Sequence, residues 1–198
     1  MWQEAIDISK AFDRVNHFAL LPKLMTRLLP AQLLYLLENW LLNCFSCVKW
    51  ALSFPQSFKH DFGVRLGSVL SPILFAVYID DLARSCDIVC GVYIVLYADD
   101  ILLLSPTVCE LQKYLNTCER ELDSLDLVIN VKNSCCVRVD PRSNVICQRL
   151  CSLSGTHLPW MTEIKYLGVH IVSSKSFNVS TEQSGVLFIV LLMLYLAE

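Results

Sequence analysis

The sequence predicts an α+β fold, an antiparallel sheet with helices packed on one face. Three observations predict it. Residues 107–125, "TVCELQKYLNTCERELDSL", place Leu111, Leu115, Cys118 and Leu122 on one helical stripe behind Thr107 as a cap. Residues 90–105, "CGVYIVLYADDILLLS", read as two strands meeting at a pair of aspartates, a hairpin. Finally, the elements run in the order strand, helices, hairpin, helix, strands, with no internal repeat and no clean linker.

Taken in chain order, "EAIDIS" (4–9) is Ile-rich and weakly alternating, a strand. "KAFDRVNHFALLPKLMTRLL" (10–29) has helical spacing at Phe12, Val15 and Ala19, with a break expected near Pro22. On it, Asp13 and Arg14 read as a surface pair. "PAQLLYLLENWLLNCF" (30–45) is a helix begun by Pro30. "CVKWALSF" (47–54) and "QSFKHDFGV" (56–64) read as strands around Pro55, and "RLGSVLSP" (65–72) as a loop. "PILFAVYIDDLARSC" (72–86) reads as one helix, with Asp80 and Asp81 late on its surface. "VINVKNSCCVRV" (128–139) and "EIKYLGVHIV" (163–172) read as strands.

Composition narrows the function classes. The chain has 198 residues, 55% hydrophobic and 18% charged, an apolar but globular profile. Its 16 Lys and Arg are scattered and the net charge is −3, so bulk charge does not advertise nucleic acid. The start, "MWQEAIDISKAFDR", is charged and lacks the apolar core of a signal peptide. An intracellular setting, nucleus or cytoplasm, is therefore expected, with the ten cysteines mostly reduced and buried. The Asn178 sequon carries little weight without secretion. Cys135, Cys136, Cys147, Cys151 and His157 can be assembled on paper into a metal site, but none has the paired spacing of a zinc module. The run Val186 to Ala197 is twelve apolar residues, ~18 Å as a helix against a hydrocarbon core of ~30 Å. No stable membrane span is expected from it, and a membrane-associated role would rest on those residues alone.

Asp99 and Asp100 pose the chemical question. Adjacent carboxylates at ~4 Å and an effective dielectric of ~20 repel by about 4 kcal/mol. Taken alone, an Asp-Asp pair in a hairpin is most simply a solvated turn. Here the flanks are Leu96, Tyr97 and Ala98 before and Ile101 to Leu104 after. Anions in an apolar setting need a cation, a proton or several donors. A pair of divalent metals supplies the first, and carboxylates from adjacent strands can hold ions ~4 Å apart for phosphoryl transfer. Asp7, near the end of the first strand, is the natural third carboxylate.

Five blocks occur in order: "AIDISKAFDRVNH", "FGVRLGSVLSPILFAVYIDDL", "LYADDILLLS", "LDLVINVKNSCCVRV" and "IKYLGVHI". Together they resemble the reverse transcriptase of non-LTR (LINE-type) retrotransposons, close to the jockey and CR1-like groups, from about residue 5 to about residue 184. The resemblance implies a reverse-transcriptase palm, a ferredoxin-like antiparallel sheet with helices on one face, over 1–172. Residues 173–198 then form an irregular segment with the apolar tail. It implies RNA-directed DNA synthesis on an RNA template, with a DNA primer and dNTPs. Two Mg²⁺ ions, or Mn²⁺, would be held by Asp7, Asp99, Asp100 and the main-chain carbonyl of Ile8. Asp7, Asp99 and Asp100 take the catalytic positions. Phe12, five residues after Asp7, falls where the family has an aromatic ring against the sugar. Gly67 and Ser68 match the loop beside the nascent pair, and "YLGVHI" the hairpin that grips the primer.

The chain also departs from the family. Leu66 stands where a glutamine is usual, and Asn133 where a lysine is usual, with Lys132 one residue early. The family's fingers and thumb are expected to be largely missing, so the 198 residues alone are not expected to extend a primer. A non-enzymatic remnant or binding module is the alternative of a different class.

Overall fold

Strand β1 (Trp2–Asp7) lies at the centre of the sheet, because both of its faces carry residues that must be covered. It pairs antiparallel with β5 (Asp100–Ser105) on one side and with β6 (Cys135–Arg138) on the other. Beyond β5 lies β4 (Tyr93–Tyr97), antiparallel and joined to it as a hairpin. Beyond β6 lies β9 (Trp160–Met161), giving the order β4-β5-β1-β6-β9. The last pairing is parallel, so the sheet is mixed where the sequence suggested purely antiparallel. The computed structural model describes residues 2–49, 56–85, 91–139, 148–167, 169–173 and 178–180. The apolar run 186–197 and Cys147 lie outside the described residues.

One face of the sheet carries the helices. Trp2, Ile6, Ile101 and Leu103 pack there against Leu111, Leu115, Cys118 and Leu122 of α5 (Val108–Ser124), the stripe that helical spacing marks. Thr107 caps α5 through the Glu110 N–H at 3.2 Å. Glu110 reaches back to the Thr107 hydroxyl, so the first turn closes on itself. The opposite face is covered by a second sheet. Ala5, Leu102, Leu104 and Val137 meet Ile164, Tyr166 and Ile171 of the hairpin β10 (Glu163–Tyr166) and β11 (Val169–Val172). Residues 163–172 are therefore two strands turning at Leu167, a hairpin as the resemblance implies and not the single run that the residue pattern suggests. The strand β12 (Asn178–Ser180) pairs with β11. Among the described residues, two short pairs complete the sheets, β2 (Phe45–Ser46) with β3 (Phe58–Lys59), and β7 (Leu150–Cys151) with β8 (His157–Leu158).

Several expectations shift for identifiable reasons. Residues 10–29 break before Asn16 and not at Pro22. The carbonyls of Phe12 and Val15 accept from Val64 and Gly63 at 2.8 Å, so they cannot propagate a helix. Only a 3-10 turn forms at Phe12–Arg14. Asn16 then caps α1 (His17–Thr26) by accepting from Phe18 and Ala19, and Pro22 sits inside that helix. The following helix α2 (Ala31–Leu42) begins after Pro30, as the sequence predicts.

Residues 72–86 form two helices, α3 (Ser71–Tyr78) and α4 (Asp80–Ser85). Lys23 donates to the Tyr78 carbonyl at 2.5 Å, the acceptor a continuous helix would need for Leu82. Leu82 bonds Ile79 instead. Asp80 and Asp81 thus open α4, where their charge suits the helix start, and pair with Arg27, Arg84 and Lys23. Of the strand read at 128–139, only Cys135–Arg138 is a strand. Residues 130–134 form a turn, with Asn133 and Ser134 both donating to the Asn130 carbonyl at 3.0 Å.

Candidate active site

The hairpin of β4 and β5 closes on the pair Tyr97 and Asp100, leaving Ala98 and Asp99 as a two-residue loop. Ala98 takes φ +51°, a left-handed conformation unfavourable for a residue with a Cβ. The strain sits at the residue that sets the direction of Asp99. Asp99 is anchored by its carbonyl, which accepts from the Ile8 N–H at 3.3 Å.

Asp7 pairs directly with Asp100 across β1 and β5. The Asp7 main chain points the other way: its N–H donates to Ser134 Oγ at 3.1 Å and its carbonyl accepts from Asn130 at 2.8 Å. The Asp7–Asp100 pair is consequently a non-hydrogen-bonded one, the kind in which facing side chains stand closest. Burial lifts the Asp100 carboxyl above its ordinary range, and the charges of Asp99 and Asp7 lift it further. On the Asp7 carboxylate, Asn130 Nδ2 and Asn133 Nδ2 both donate to Oδ2, at 2.8 and 2.9 Å.

The second sheet supports the hairpin. Tyr166 donates its hydroxyl to the Val95 carbonyl at 3.2 Å. Burial raises the Tyr166 phenol, with a further contribution from the Asp100 charge, so the ring stays neutral close to the aspartates.

Asp7, Ile8, Asp99 and Asp100 are thus neighbours in the strand register, and the charges of Asp99 and Asp7 both act on Asp100. The other candidates lie on neighbouring elements. Phe12 is half-buried, with its ring centroid 5.0 Å from that of Phe75 and packed against the helix-side core. Gly67 has φ +82° in the loop before α3, with open space around its Cα. Ser68 accepts from Leu70 there. Leu66 is 73% exposed and lines an open cleft of about 520 Å³ with Asp13, Ser46, His60, Phe62 and Arg65.

Among the described residues, no three His, Cys, Asp or Glu side chains are drawn together into a ready-made metal cage. Cys151 Sγ lies 2.8 Å from His157 Nδ1, while Cys135 and Cys136 stand on another sheet. Sequence reasoning missed two things. One is the pair of amides on Asp7, although Asn133 stood out as a departure. The other is Gly63, whose sequence signal was a glycine inside an apparent strand.

The profile of the family described as reverse transcriptase (RNA-dependent DNA polymerase) matches residues 2–171, and the chain belongs to that family. Within it, the chain is 32% identical to the RNA-directed DNA polymerase from mobile element jockey of Drosophila funebris, over 185 residues. It is 30% identical to the probable RNA-directed DNA polymerase from transposon BS of Drosophila melanogaster. Each alignment covers 87% of this chain and 20% of the relative, so the chain spans about one fifth of their length. Among solved structures, apo telomerase from Candida tropicalis shares the fold at TM-score 0.66 and 10% identity, over 92% of this chain and 33% of that one. Telomerase from Candida albicans, in complex with a fragment of telomeric RNA, does so at TM-score 0.61 and 15% identity, over 94% of this chain and 31% of that one.

Proposed function

We propose that residues 1–172 are the palm of a retrotransposon reverse transcriptase, a ferredoxin-like sheet whose Asp7, Asp99 and Asp100 serve RNA-directed DNA synthesis. The observation that carries this is the cross-strand pairing of Asp7 with Asp100 at the tip that Asp99 completes. The donors are all hard oxygens, and Asp100 is pushed toward protonation by burial and, after it, by its like-charged neighbours Asp99 and Asp7. Such a site is short of positive charge, which fits divalent magnesium or manganese.

Asp7, Asp99 and Asp100, with the Ile8 carbonyl, would hold two such ions. When bound they supply charge neutralisation at the reacting phosphate and activation of the primer hydroxyl. The chain's own contribution is alignment. The β10–β11 hairpin buttresses the hairpin of aspartates from beneath. Phe12 presents a ring beside the deoxyribose, where a 2′-hydroxyl is rejected, and Gly67 lets the backbone approach the nascent pair. The primer 3′-hydroxyl attacks the α-phosphate of a dNTP and pyrophosphate leaves.

The test is primer extension on an RNA template by a jockey polymerase in which this segment replaces the matching one. Asp100→Asn should lower extension at least about a hundred-fold, the scale of losing a principal electrostatic group. Retained extension in that variant would end the catalytic reading. In the same assay Phe12→Ala should raise ribonucleotide incorporation relative to deoxynucleotide. Because the ring is half-buried, it should also cost roughly 1–3 kcal/mol of stability. Unchanged sugar discrimination in a folded, active variant would leave Phe12 as a packing residue only. A second reading, a non-enzymatic remnant, is favoured by Leu66, which is exposed where a hydrogen-bonding side chain is usual. An inactive chimera that regains extension on Leu66→Gln would locate the defect there.

A further inference from the structure

We infer that the turn 130–134 is a clamp that sets how Asp7 presents its carboxylate, with Asn130 and Asn133 as positioning residues. The inference rests on the reading of Asp7 as a metal-holding carboxylate. Strand β6 pairs with β1 only as far as Ala5 and Cys135. Past that point β1 would lose its neighbour, and the 130–134 turn takes over. It meets Asp7 at four points. Ser134 Oγ accepts the Asp7 N–H at 3.1 Å, and the Asn130 N–H donates to the Asp7 carbonyl at 2.8 Å. The two amide groups, Asn130 Nδ2 and Asn133 Nδ2, reach Oδ2 at 2.8 and 2.9 Å.

Both amides go to the same oxygen. A carboxylate offers about four lone-pair sites, two on each oxygen. With two N–H donors on Oδ2, that oxygen is filled and Oδ1 is left for a cation. The clamp fixes the side-chain rotamer and makes Asp7 a one-oxygen donor. It also aims two amide dipoles at a carboxylate that faces the like charge of Asp100. Asn133 does this without adding a full positive charge, which a lysine at the same position would bring next to the ions. The turn is itself held, because Ser134 Oγ donates to the Asn130 carbonyl at 2.9 Å. Asn133 is exposed, so its side chain serves no packing purpose that would explain its place.

Partners that orient a metal-binding side chain are typically worth ten- to a hundred-fold in metal affinity. The test is Mn²⁺ binding to the full chain, read by electron paramagnetic resonance and calorimetry. Asn133→Ala should weaken Mn²⁺ binding about ten-fold with an unchanged melting temperature, and Asn130→Ala/Asn133→Ala should weaken it further. Lys132→Ala, an exposed neighbour on the same turn, should leave it unchanged. Asp7→Asn should remove the tight site. Mn²⁺ affinity unaltered or tightened in Asn133→Ala, while Asp7→Asn still abolishes it, would overturn the clamp and leave the aspartate site standing. An affinity that Asp7→Asn does not alter would overturn both. Should Asn130→Ala fail to fold, Asn133→Ala alone decides.

Discussion

Replacing Glu4 with leucine is expected to stabilise the protein, and more so at alkaline pH. Glu4 is fully buried on β1, between Trp2 and Ile6 on the helix face of the sheet. Neither carboxyl oxygen has a hydrogen-bond partner among the described residues. Burial pushes its pKa up to about 8 from 4.5, with a smaller contribution from the Glu119 charge. Glu4 therefore folds as a neutral acid at pH 7, at the expense of a proton taken up on folding. Because the folded pKa is the higher one, its stabilising protonation is complete below about pH 4.5 and declines as pH rises. It is lost by the time pH passes through about 8. Between pH 5 and 8.5 the loss is on the order of 4 kcal/mol, at about 1.4 kcal/mol per pH unit. Leucine of similar volume removes the titration and adds apolar contact beside Leu103 and Cys136, its cross-strand neighbours. Urea denaturation of both chains at pH 5 and pH 8.5 measures the difference. A stability gap that does not widen with pH would mean that Glu4 has a cationic partner when ionised. Asp100 is also raised, but it is common to both chains and cancels in the comparison.

Glu4 illustrates what could not be read from the sequence. A carboxylate in "QEAIDIS" looks like the polar face of an edge strand. Only the pairing of β1 with β5 and β6 on both sides makes it a central strand covered on both faces. The local signals were otherwise good where one element decides its own fate. Thr107, the stripe of α5 and the Asp99–Asp100 hairpin needed no tertiary knowledge. The signals failed where a distant group intervenes. Phe12 and Val15 have helical spacing, yet a strand-like segment at Gly63 and Val64 takes their carbonyls. The helix at 71–85 is continuous in pattern, yet Lys23, 55 residues from Tyr78, takes the carbonyl at its middle. The site follows the same division. The three aspartates were legible as carboxylates that lacked a cation. The amides that hold Asp7 were not, because an asparagine in "INVKNS" is ordinary turn chemistry until its side chain is seen to reach back across the sheet.

The largest backbone effect is expected from Gly63→Ala, which should destabilise the chain by about 3 kcal/mol or more. Two causes add. Gly63 has φ +87°, in the left-handed region, where a side chain costs roughly 1 kcal/mol. A Cβ there would also stand 2.9 Å from the Asp13 carbonyl oxygen and 3.0 Å from that of Phe12. Both obstacles are backbone, so no rotamer change relieves them. The segment cannot retreat easily either. Gly63 N–H donates to the Val15 carbonyl, Val64 N–H to that of Phe12, and His17 Nε2 lies 2.7 Å from the Gly63 carbonyl. Relief must move the Phe12–Asp13 turn, and with it the ring proposed to lie beside the sugar. Gly67→Ala provides the control. Its φ is +82°, nearly the same, but its added Cβ meets nothing within 4 Å. It should cost only the conformational part, about 1 kcal/mol. At roughly 2–4 °C per kcal/mol for a domain of this size, Gly63→Ala should melt roughly 6–12 °C lower and Gly67→Ala only a few degrees lower. Equal shifts in the two variants would show that the close approach at Gly63 is absorbed by the backbone. In the chimeric polymerase, Gly63→Ala should also loosen sugar discrimination in the direction of Phe12→Ala, because one turn carries both the carbonyls that the new methyl strikes and the ring.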